Sequence, residues 1–88
     1  MFGLEQQNAL YEEALNAHRA GKIEDGVHSL ETLLKRAPAS ALAETALAQE
    51  FRWLAPVDAT RAKSAARRYL STFPMGPARA EAERLLAQ

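Results

Sequence analysis

The sequence predicts an all-α fold of antiparallel helix-turn-helix repeats, about five helices in all, and three observations carry that expectation. Ala, Leu, Arg and Glu dominate the composition, with Ala alone supplying 19 of the 88 residues, and these side chains cost least in a helix. Valine and isoleucine, the usual strand formers, occur only at Ile23, Val27 and Val57, which argues against a sheet. A helix-pair pattern closes twice on the same punctuation, Lys35-Arg36-Ala37-Pro38 and Ser71-Thr72-Phe73-Pro74, with a step of 36 residues from proline to proline. A period in that range signals stacked helical units rather than one irregular bundle.

The first helix is expected from about Leu4 to Ala20, where Leu10, Ala14 and Ala17 recur at helical spacing and Tyr11, Leu15 and His18 form a second stripe beside them. Gly21 suits the left-handed position that ends such a helix. Ile23, Val27, Leu30 and Leu34, widened by Leu33, mark the second helix, from about 23 to 37, and Pro38 closes it by driving its predecessor out of the helical region. Ser40 can cap a third helix whose apolar face is Ala43, Leu47, Phe51 and Leu54; Ala55-Pro56 stops it. Asp58 can cap a fourth, burying Ala62, Ala65, Ala66, Tyr69 and Phe73 up to Pro74. Pro77 fits the first position of a last helix that bears Ala78, Ala82, Leu85 and Leu86. Loops of three to five residues imply antiparallel neighbours. The organisation expected is one domain over residues 1–88, with a first repeat over about 7–40, a second over about 41–74 and a capping helix over about 77–88.

With the helices placed, the spacing resembles the tetratricopeptide pattern, in which W-x2-L-G-x2-Y lies on the first helix of a unit, A-x3-F on the second, and proline ends it. Leu10, Ala14, Leu30 and Pro38 fit in the first pair, and Leu47, Ala48, Phe51, Ala62 and Pro74 in the second. Glu13, Ala17, Gly26 and Glu44 depart, Ala66 is a shrunken form of the aromatic, and the turn inside the second pair reads as two residues longer. The resemblance covers residues 7 to 74, and the last helix matches the solvating helix that follows a final repeat. Small residues at Ala14, Ala48 and Ala62 would let helix axes approach, with Leu30, Leu47 and Phe51 filling the gaps.

The resemblance implies a concave face lined by the first helix of each pair, where extended peptides or helices bind. That face would show Asn8, Tyr11, Leu15, His18 and Arg19 from one pair, and Leu42, Thr45, Gln49, Arg52 and Trp53 from the next. Arg52-Trp53 brings together two residue types frequent at interface hot spots, although a tryptophan there also suits a thin core. Tyr11 and Leu15 stand where some members of the family carry a carboxylate-gripping Lys and Asn, so that clamp is not expected. The implied role is a protein–protein interaction module, a scaffold, adaptor or regulatory part of a larger bacterial assembly. The alternative is a self-associating structural domain, a homo-oligomer, because two units and a cap fall short of the about three that such arrays usually need.

Other classes have less support. Arg61, Lys63, Arg67, Arg68, Arg79 and Arg84 make the C-terminal half basic, but no aromatic set interleaves them and the net charge is zero, so nucleic-acid binding is not favoured. His18 and His28 lack metal-binding spacing, and no cysteine is present; no metal or cofactor is expected. There is no glycine-rich phosphate loop and no serine-centred motif, so the expectation is that the chain is not an enzyme. No apolar stretch is long enough to span a membrane, and the first residues do not read as a signal peptide. The compartment stays open: cytoplasmic if the chain is full-length, or a soluble part of a cell-envelope protein if it is a fragment.

Overall fold

The computed structural model describes residues 2–88 and is all-helical, with no strand among the described residues. Five helices follow in order: α1 (Leu4–Arg19), α2 (Ile23–Arg36), α3 (Ala43–Leu54), α4 (Ala59–Thr72) and α5 (Arg79–Leu86). The chain divides into two compact units, the first running to Ala46 and the second from Leu47 to Gln88, so the first turn of α3 belongs with the first unit.

The period read from the prolines is also the period of the backbone. α4 begins and ends 36 residues after α2, and α5 begins 36 residues after α3. The turns repeat in detail. Ala37 and Phe73, each ahead of a proline, leave the helical region at φ −141°, ψ 65° and φ −129°, ψ 67°. The N–H of Ser40 then donates to Ala37 and that of Ala43 to Ser40, while the N–H of Gly76 donates to Phe73 and that of Arg79 to Gly76. In register, α5 is the first helix of a third unit. The links between pairs, 37–42 and 73–78, are six residues long, longer than the loops expected, because this double turn occupies them. Within pairs the links are 20–22 and 55–58, so the second is one residue longer than the first.

In the first unit, α1 packs on α2, and a three-residue link makes them antiparallel. Gly21, at φ +78°, closes α1: its N–H donates to the His18 carbonyl and that of Lys22 to the Ala17 carbonyl at 2.9 Å, the paired bonds that a left-handed glycine permits. Val27, Leu30, Leu33 and Leu34 of α2 are buried, as their spacing requires, while α1 fully buries only Ala14. The Ser40 hydroxyl accepts from the N–H of Leu42 at 3.0 Å and donates to Gln7 Oε1 at 2.6 Å. It thereby closes the turn ahead of α3, which begins only at Ala43, rather than capping the helix itself, and ties that turn to α1.

In the second unit, Asp58 caps α4 through the N–H of Arg61, 3.1 Å from Oδ1. The core is built on Phe51, Leu54, Ala62, Ala65, Ala66 and Tyr69, all buried. Tyr69 meets Phe51 edge-on at 5.8 Å and Phe73 at 5.7 Å. Its hydroxyl accepts from the N–H of Ala78 at 3.0 Å. Ala78 stands 36 residues after Leu42, so the same backbone donor is satisfied by a local serine in one turn and by a tyrosine from the preceding helix in the other. Gly76, the counterpart of Ser40, has to lack a side chain: a Cβ there would lie 2.2 Å from the Tyr69 hydroxyl.

Candidate partner-binding surfaces

In the first unit, Asn8, Tyr11, Leu15 and His18 fall on one stripe of α1 by their spacing of three and four, and Leu4 extends it to the N-terminal end. The stripe is about 21 Å long at 1.5 Å per residue. Tyr11, Leu15 and His18 are half-buried, Asn8 is exposed and Leu4 is 64% exposed. Arg19, beside the stripe, donates from Nη1 to Asn16 Oδ1 at 3.0 Å. Leu42 and Thr45 are half-buried. A helix with an apolar stripe only partly covered is one that can still bury surface against something else.

In the second unit the expected residues separate. Gln49 is half-buried, Arg52 is exposed and Trp53 is only 5% exposed. Trp53 therefore points into the core and has little surface to give a partner, the alternative role that a thin core suggested for it. Arg52 reaches Glu81 on α5 with a two-pronged ion pair, Nε at 3.0 and 2.9 Å from the two carboxylate oxygens and Nη2 at 2.8 Å from Oε1. Beside that pair lies a cleft of about 250 Å³ lined by Phe51, Arg52, Ala55, Glu81, Arg84, Leu85 and Gln88. Phe51, Ala55 and Leu85 supply its apolar lining, and the two arginines with Glu81 its polar part.

Of the residues lining it, all but Arg52 are absent from the face expected from the sequence: Phe51, Ala55, Glu81, Arg84, Leu85 and Gln88. The signal that finds three of them is the period itself: Glu81, Leu85 and Gln88 stand 36 residues after Thr45, Gln49 and Arg52. Reading the last helix as a cap hid that repetition; with α5 in register with α3, the same face recurs on it.

The Arg52 hydrogen bonds hold the Glu81 carboxyl below the usual carboxylate range against the opposing effect of burial, and the charges of Arg52 and Arg84 add to the lowering. A carboxyl lowered in the folded state stabilises the fold above its unfolded value, about pH 4.3, and that contribution is lost as pH falls through the folded value. Both partners are more than a third exposed, at 38% and 40%, so solvent holds the pair to less than about 1 kcal/mol. Glu81→Gln is expected to lower stability by that small amount at pH 7, and the difference from the parent is expected to shrink at an acid pH below the carboxyl's lowered folded value. Urea unfolding at both pH values measures it; a difference that persists in acid would assign the effect to packing instead.

Among the described residues no group of three or more His, Cys, Asp or Glu is placed to hold a metal, and no helix is long and apolar enough to cross a membrane. No family model matches the chain, and neither a curated protein nor a solved structure does.

Proposed function

We propose that this chain is a tetratricopeptide-like protein–protein interaction module, a scaffold or adaptor within a larger bacterial assembly, and that the α3–α5 face of the second unit seats a helix or extended peptide. The observation that carries this reading is the recurrence of one face at the 36-residue step, Gln49 and Arg52 on α3 and then Leu85 on α5 with Gln88 just past its end. Recurring faces are how stacked helical units build extended recognition surfaces. The cleft's size agrees: about 250 Å³ is below the roughly 300–1,000 Å³ of small-molecule sites and suits one anchoring side chain of a larger partner. The apolar lining would take that anchor, and the arginines would orient an acidic neighbour.

The test begins with mild crosslinking of the native protein and mass spectrometry to identify a partner, followed by binding measurements. Leu85→Ala and Arg84→Glu, both outside the fully buried core, are expected to abolish binding while circular dichroism stays at the parent value. Binding that survives both substitutions would remove the cleft from consideration.

A further inference from the structure

We propose that the occupant of the α3–α5 cleft is helix α1 of a second copy of this chain, in a head-to-tail contact; the proposal rests on reading that cleft as a helix-binding site. α1 has the shape of an occupant. Leu4, Tyr11 and Leu15 line one stripe and retain exposed surface, with Leu4 at 64%, and apolar anchors spaced in this way are how an amphipathic helix sits in a groove. The cleft offers Ala55 and Leu85 to such an anchor, with the buried Phe51 beneath them.

Charge selects the second copy and the polarity of the contact. The first unit carries four Lys/Arg against seven Asp/Glu, a net −3, and the second carries seven against four, a net +3. Two first units brought together would repel, as would two second units, whereas a first unit and a second unit attract. The same matching holds at the residues concerned. Glu5 and Glu12 flank the α1 stripe and are exposed; at the cleft, Arg52 is matched by Glu81, and Arg84 adds a further positive charge. Because two different faces meet, the contact is heterologous. It leaves one face open at each end and adds copies without limit unless the geometry closes a ring. One helix against one cleft is smaller than a standard interface of about 800 Å² per partner, which places the contact among weak, concentration-dependent associations.

Analytical ultracentrifugation of the full chain across concentration tests this. The mass is expected to grow with concentration at low salt and to fall toward the single chain near about 1 M salt, where exposed charges are screened. Leu4→Glu blocks the α1 face and Arg84→Glu the cleft. Each variant alone is expected to run as a monomer, and an equimolar mixture is expected to form a dimer and nothing larger, because one intact face of each kind remains. A parent that stays single at every concentration, variants that associate like the parent, or a mixture that stays monomeric would each overturn the proposal. Photo-leucine at position 85, which keeps the size and apolar character of the parent side chain, separates it from the broader reading. Crosslinks to α1 of another copy support both. Crosslinks to a foreign helix from a monomeric parent overturn the second-copy occupant and leave the cleft as a helix site; association with no crosslink from position 85 overturns both.

Discussion

Replacing Tyr69 by leucine and Gly76 by serine is expected to cost less together than the two changes cost apart. Tyr69→Leu alone removes a buried ring in contact with Phe51 and Phe73 and leaves the N–H of Ala78 without its acceptor, a loss of about 2–4 kcal/mol. Gly76→Ser alone drives a Cβ into the tyrosine hydroxyl, since the two would lie 2.2 Å apart, and overpacking of that kind costs about 1–3 kcal/mol. In the double variant each change removes the other's defect. The leucine clears the space for the serine, and the serine hydroxyl can take the Ala78 N–H as Ser40 takes that of Leu42. The template exists in the first unit, where Leu33 and Ser40 hold the positions 36 residues before Tyr69 and Gly76. The coupling expected is about 1–2 kcal/mol in favour of the pair, within the range seen for residues in contact. Urea unfolding of the four proteins measures it, and strictly additive effects would show that the two turns are not interchangeable solutions.

Trp53→Ala is expected to act on folding rather than on recognition. The residue is 5% exposed, and truncating a buried tryptophan costs about 3–5 kcal/mol. A domain has about 5–15 kcal/mol in total, and a chain of this size belongs at the lower end. The variant should therefore lose most of its helical circular dichroism at 37 °C, or unfold at a much lower urea concentration, and any loss of binding would follow from that. Leu85→Ala, at a half-buried position, should leave the unfolding midpoint within about 1 kcal/mol of the parent. If Trp53→Ala unfolds where the parent does, the tryptophan is not part of the core. The contrast decides which substitutions can serve as binding probes: Arg84 and Leu85 qualify, and Trp53 does not.

Much of the fold is legible in the residues because it depends on short range. Gly21 closes α1, Asp58 caps α4, and Ala37 and Phe73 break their helices ahead of proline; each effect acts within one helical turn. The α2 stripe is equally direct, since Val27, Leu30, Leu33 and Leu34 are all buried as their periodicity demands. The same logic loses force at α1. Its apolar residues are spaced for burial, yet only Ala14 is fully covered, because spacing says which residues share a face and not how much of that face another element covers.

The candidate surface shows the division most clearly. Adjacent residues Arg52 and Trp53 look like one hot spot in a linear reading, but one step along a helix turns the side chain by about 100°, and the fold sends Trp53 inward and Arg52 out to Glu81. That ion pair joins residues 29 apart, and the Ser40–Gln7 bond joins residues 33 apart; no local propensity encodes either. The sequence by itself determined the five helices, the ends set by Gly21, Asp58, Pro38 and Pro74, and the 36-residue period, because hydrogen bonding, capping and proline sterics are local; α3 and α5 instead begin two residues later than a Ser40 cap and a first-position Pro77 predict. Only the tertiary structure decided that Arg52 pairs with Glu81, that Trp53 is buried, and that one turn relies on a serine and the other on a tyrosine, because those outcomes depend on which distant side chains the packed helices bring within reach.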